Sequence, residues 1–162
     1  MKQSRKSLGA KKTNIISYTI TMKIKAPLDY AFKWCTDFDE GDTKITQSDS
    51  NRVLIEKKTD RVIYVMLAEN DGNTRGRAYI VRLKPPNSWN MKAYGNGSDS
   101  TGEYKLTRIS PDLTKLTVTF AHNFYDVAAM PAKSKKKLDS QATWNKYISA
   151  LETDYRNLAV CN

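Results

Sequence analysis

Between positions 15 and 25 the side chains alternate without a break, and no other feature limits the fold as much. Ile16, Tyr18, Ile20, Met22 and Ile24 fall on one side of an extended strand, and Ser17, Thr19, Thr21 and Lys23 on the other. This is the pattern of a sheet with one buried and one wetted face. Such a sheet needs partners, and the chain supplies them in a row. Thr43 to Gln47, Arg52 to Lys58, Arg61 to Glu69, Thr74 to Leu83, Trp89 to Tyr94, Gly102 to Ile109 and Lys115 to Tyr125 all read as short strands. They are separated by Asp49-Ser50-Asn51, Asn70-Asp71-Gly72-Asn73, Pro85-Pro86-Asn87, Asn96-Gly97 and Ser110-Pro111-Asp112. Asp-Gly and Asn-Gly suit two-residue hairpin turns, where both central residues take positive φ. Connections this short leave no room for crossover helices, so neighbouring strands run antiparallel.

Two helical segments interrupt or end this series. After Ala26-Pro27, the residues Leu28, Ala31, Phe32, Cys35 and Phe38 recur at helical spacing, which predicts a short amphipathic helix over 28–38. The acids Asp37, Asp39, Glu40 and Asp42 follow in a polar turn without the ligand spacing of an EF-hand, and they read as a solvated loop. Beyond Met130-Pro131, the residues Gln141, Trp144, Ile148, Leu151, Tyr155 and Leu158 form one apolar stripe, which predicts a continuous helix over 132–158. That stripe needs a large apolar partner, and the sheet is the only candidate. The fold class is therefore α+β, an antiparallel sheet of about seven strands against one long C-terminal helix.

Composition narrows the function. A chain of 162 residues with 40% hydrophobic content suits one domain, able to bury roughly 70% of its unfolded surface without staples. Cys35 and Cys161 are far apart and His122 is the sole histidine, so no zinc-finger, CxxC or HExxH spacing exists. The glycines of GNGSDSTG do not fall at the spacing of a dinucleotide or phosphate loop. No metal and no cofactor is called for. The first residues are basic but lead into no apolar segment, and no run is long enough to span a membrane, so a cytoplasmic protein is expected. Of the net charge of +10, half comes from Lys2, Arg5, Lys6, Lys11 and Lys12. Residues 1–13 lack apolar periodicity and read as a disordered basic tail, followed by a single domain over 14–162. A second basic cluster, Lys133, Lys135, Lys136 and Lys137, precedes the apolar stripe of the last helix.

The strand ISYTITMKIKAP leading into the helix that ends TDF, the pair NSWNMKAYGNG and STGEYKLTRIS, and the terminal WNKYISALETDY resemble the START and birch-pollen-allergen superfamily, near its polyketide cyclase-like members. The resemblance covers residues 15 to 158. It implies a helix-grip fold, in which a curved antiparallel sheet wraps the C-terminal helix and encloses an apolar cavity. It implies no catalytic motif, because the superfamily includes carriers, receptors, cyclases and co-chaperones.

Alternation identifies the side chains that would face such a cavity. His122 shares a face with Leu116, Val118, Phe120 and Phe124, and the same rule turns Tyr18, Met22, Tyr64, Met66, Trp89, Met91, Tyr104 and Leu106 inward. Tyr79 and Arg82 lie on opposite faces of their strand, and the sequence leaves open which one enters. Tyr18, Tyr64, Trp89, Met91, Tyr104, Phe120 and His122 on the sheet, with Trp144, Ile148, Leu151 and Tyr155 on the helix, are the candidate ligand contacts. Apolar walls interrupted by a few polar groups fit an apolar or lipid-like small molecule. Two other readings stay open. One is a cyclase, dehydratase or hydrolase with His122 as general base. The other is a scaffold that binds nucleic acid or an anionic membrane through Lys133, Lys135, Lys136, Lys137 and the basic tail.

Overall fold

The structure is a computed structural model and describes residues 14–160; the basic tail over 1–13 and Cys161 lie outside the described residues. The chain runs β1 (Ile15–Ile24), α1 (Leu28–Cys35), α2 (Asp42–Ile45), β2 (Ser50–Lys57), β3 (Arg61–Asn70), β4 (Asn73–Lys84), β5 (Ser88–Tyr94), β6 (Ser98–Ser110), β7 (Leu113–Phe124), a 3-10 turn (Val127–Ala129) and α3 (Lys133–Val160). Seven strands form one sheet in the order β1-β7-β6-β5-β4-β3-β2, with every neighbouring pair antiparallel. Each connection after β2 is a hairpin, and the last strand returns to pair with the first. This is the helix-grip arrangement, with the curved sheet closing on α3.

The period-two pattern of β1 appears directly as burial, since its residues alternate exposed and buried along the whole strand. Tyr18 pairs across to Phe120, Ile20 to Val118 and Met22 to Leu116, so β1 and β7 present one continuous apolar face. The Asn70-to-Asn73 turn places Asp71 at φ 50° and Gly72 at φ 77°, as a two-residue hairpin requires. On α3, Leu151 is fully buried and Ile148 nearly so, while Trp144 and Tyr155 are half-buried. No helix among the described residues is long and apolar enough to cross a membrane.

Two expectations need correction. Thr43 to Gln47 is not a strand: it holds the single-turn α2, closed by local bonds from Lys44 N to Gly41 O and from Gln47 N to Lys44 O. With Ile45 as its one apolar residue, it has no apolar face to offer a sheet. The first helix also ends earlier than its spacing suggests. The Thr36 hydroxyl donates to Phe32 O at 2.7 Å, and Phe38 turns back in the left-handed region (φ 49°) to bring its ring 5.8 Å from that of Tyr64. Phe38 is buried as helical spacing requires, but by a chain reversal rather than a further turn.

Candidate functional site

Between the concave face, the α1–α2 segment and the first half of α3 lies a cavity of about 360 Å³. Its walls are mainly aromatic. Trp89 and Tyr104 stack nearly parallel at 4.9 Å, Tyr64 and Tyr79 at 4.7 Å, and Phe120 meets Tyr104 edge-on at 5.9 Å. Trp144 reaches across from α3 to within 5.6 Å of Tyr104. Trp34, Cys35, Phe38, Met66 and Met91 complete the apolar lining. One backbone position makes this wall possible. A Cβ on Gly102 would lie 2.7–2.8 Å from the ring edge and hydroxyl of Tyr104, so only glycine lets that ring lie along the strand.

Burial pushes the hydroxyls of Tyr64, Tyr79, Tyr104 and Tyr147 above the ordinary tyrosine range, and the Cys35 thiol upward as well. They stay neutral near pH 7, so the hydroxyls remain donors.

At one end of the cavity sits Arg52, whose side chain is only 7% exposed. Its Nη1 donates to Asp39 O at 2.7 Å and forms an ion pair with Asp42. Its guanidinium lies 4.7 Å over the Tyr64 ring and 5.8 Å from that of Phe38. Its Nε is buried and has no hydrogen-bond partner among the described residues.

Behind the opposite wall runs a chain of polar groups. Arg77 Nη2 donates to Ser100 Oγ at 2.6 Å, Ser100 Oγ lies 2.7 Å from His122 Nδ1, His122 Nε2 lies 3.0 Å from the Tyr18 hydroxyl, and that hydroxyl lies 2.6 Å from Ser140 Oγ. Because Ser100 accepts from an arginine, its own proton is free for Nδ1, which assigns the imidazole proton to Nε2 and orients every donor toward Ser140. Burial, with Lys136 and Arg77 nearby, lowers the His122 pKa to about 4, so the ring is neutral near pH 7.

The candidate contacts therefore separate into three groups. Tyr64, Trp89, Met91, Tyr104, Phe120 and Trp144 line the cavity. Tyr18 and His122 point inward but lie behind Phe120 and reach the space only through Ser140, which lines it. Ile148 and Leu151 pack α3 onto the sheet, and Tyr155 packs against Tyr30 at 4.9 Å, away from the cavity. The open question on β4 resolves to Tyr79, which lines the cavity, while Arg82 is exposed.

Arg52, Asp42, Lys136, Asp139 and Thr143 also line the space, and the sequence does not single out these residues as contacts. Of the basic cluster, Lys136 is half-buried and turned to the cavity, Lys135 pairs with Asp139 at 3.0 Å, and Lys133 and Lys137 are exposed.

No family model matches the sequence, and no curated protein matches it. Solved structures do. The Zhui aromatase/cyclase from Streptomyces sp. R1128 superposes with a TM-score of 0.66 at 12% identity, over 88% of this chain and 94% of that one. Ara h 8.0201 gives 0.68 at 15% identity, over 86% and 99%. A START superfamily protein from Mycobacterium smegmatis gives 0.62 at 16% identity, over 88% and 99%. At these identities the likeness shows the shared helix-grip fold.

Proposed function

We propose that the protein binds a small, largely apolar aromatic molecule in the cavity between the sheet and α3. The observation that carries this reading is an aromatic-lined space of about 360 Å³ inside a domain of this size. Closed, empty and dry, a space of this size would cost roughly 9 kcal/mol at about 24 cal/mol per Å³, against a total stability of about 5–15 kcal/mol; it is partly open, so it stands wet or filled. Water fills such a space well only where each molecule finds two to four polar partners. Here the charged groups stand at the two ends, and the middle is stacked rings whose polar atoms are a few tyrosine hydroxyls. A flat apolar ligand fits that middle. The likeness to an aromatase/cyclase and to a START superfamily protein supports the reading at the level of fold.

The enzyme reading has less support from His122. Both of its ring nitrogens are within hydrogen-bonding distance of other side chains, and it reaches the cavity only by way of Tyr18 and Ser140.

Titration with a neutral naphthalene dye tests the proposal. The wild-type protein should bind one equivalent with a blue-shifted emission. Met91→Trp, which puts an indole into the space, should weaken binding at least tenfold with little change in melting temperature. Equal binding by both proteins, or no binding by the wild type, would remove the cavity from consideration. A steep loss with added salt would move the reading to the exposed lysines of α3.

A further inference from the structure

We propose that Lys136 is a nucleophilic amine, which captures small aliphatic aldehydes entering the cavity as an imine. The proposal rests on the cavity being a binding site and adds a covalent chemistry to it. Two observations set Lys136 apart from the rest of its cluster. Its side chain is half-buried and lines the cavity, whereas Lys133 and Lys137 are exposed. Its ammonium also makes no hydrogen bond, ion pair or cation–π contact among the described residues; Asp139, the acid three residues on, is paired with Lys135 at 3.0 Å.

The charges around it favour the free amine. Arg77 on β4 repels the Lys136 charge and has no carboxylate partner of its own, since its bonds go to Gly95 O, Ser98 O and Oγ, and Ser100 Oγ. His122 on β7 and Tyr18 on β1 stay neutral near pH 7. On α3 itself, Lys135 adds repulsion and Asp139 an attraction. Burial lowers the Lys136 pKa, and the Arg77 charge lowers it further. Desolvation in an apolar pocket next to a second cation is what makes a lysine nucleophilic. Ser140 follows one helical turn on, lines the same cavity and accepts from Tyr18 at 2.6 Å, so its own proton is free for an oxygen held at Lys136.

The amine nitrogen adds to the aldehyde carbon, and the carbonyl electron pair goes to oxygen, which takes the proton that nitrogen gives up. Loss of this hydroxyl as water takes up one proton, and the iminium nitrogen returns one on becoming the imine. Nothing is oxidised or reduced, and the products are one imine and one water.

Hexanal with sodium cyanoborohydride at pH 7 tests the proposal, because hydride fixes each imine as a stable secondary amine. Peptide mapping of the wild-type protein should find Lys136 modified about tenfold or more faster than Lys133 or Lys137. The neutral naphthalene dye, by filling the cavity, should slow Lys136 and leave Lys133 unchanged. Lys136→Arg should lose the fast adduct. Lys135→Gln, at an exposed position, frees Asp139 to pair with Lys136 and should slow the adduct by about threefold or more. Equal modification of the three lysines, no protection by bound dye, or an unchanged rate in Lys135→Gln would overturn the proposal and leave the cavity standing. Tighter binding of hexanoate than of hexanal, with no selective adduct, would overturn it too and make Lys136 a charged partner for an anion. A wild-type protein that binds no dye and forms no selective adduct would overturn the cavity reading as well.

Discussion

Replacing Leu151 by alanine should destabilise the protein by about 3–5 kcal/mol, the upper part of the range for a leucine removed from a closed core. Leu151 has no exposed surface and stands on the half of α3 that packs on the sheet, beside the nearly buried Ile148. α3 packs on the sheet along β1, which is fixed by its full-length ladder to β7, and this limits collapse into the space left behind. For a chain of this length each kcal/mol lowers the melting temperature by about 2–4 °C, so the midpoint should fall by roughly 10 °C. Leu138→Ala, on the same helix but 68% exposed, should change stability by less than about 0.5 kcal/mol. Urea unfolding of the two variants is the comparison to make. Similar midpoints would mean that α3 does not hold the sheet through Leu151.

The second large effect is on acid stability. His122 is held neutral in the folded protein with a pKa of about 4, whereas in the unfolded chain it titrates near 6.5. Between these values the unfolded state binds the proton and the folded state does not. The contribution is therefore complete above about pH 6.5, falls away as the pH drops toward 4, and is absent below that. A difference of this size corresponds to about 3 kcal/mol. His122→Gln retains one donor and one acceptor between Ser100 and Tyr18 without a titrating group. Its stability should be nearly flat across the pH 4–6.5 window in which the wild type loses ground, apart from the carboxylates that both proteins share. An identical slope in the two proteins would show that His122 is already open to protons in the native state.

Period-two patterning makes most of the sheet legible in the sequence. β1, β6 and β7 bury one face so completely that their side chains announce it, and the hairpins follow from Asp71-Gly72 and Asn96-Gly97. The family resemblance carries the rest of the architecture. What alternation cannot give is depth. It states that Tyr18, His122 and Tyr104 all point inward, but a curved sheet divides one inner face into cavity wall, second layer and solid core, and that division depends on the helix above it. Arg52 is hidden for a different reason. On β2 the two residues that look like a buried pair, Val53 and Ile55, are 40% and 62% exposed, while Arg52, Leu54 and Glu56 turn the other way. An arginine becomes an interior residue only when its carboxylate is nearby. Asp42 opens α2, in a stretch whose sequence reads as a solvated loop running into a strand, so nothing in the pattern brings the two side chains together. The unforeseen helix and the unforeseen arginine have one cause.

The contrast between the two halves of α3 has a consequence for motion. Beyond residue 147 the helix is held by Ile148 and Leu151, whereas before it the side chains that touch the sheet are mainly polar, with Ser140 fastened to Tyr18 by one hydrogen bond, and Trp144 half-buried over Tyr104. Regions with few buried apolar contacts open at free energies well below that of global unfolding. Amide hydrogens over residues 136–147 should accordingly exchange with solvent by a local opening, while those over 148–156 wait for the whole domain to unfold. The same opening uncovers the aromatic wall, so the rate at which a ligand leaves should track the exchange of this one segment.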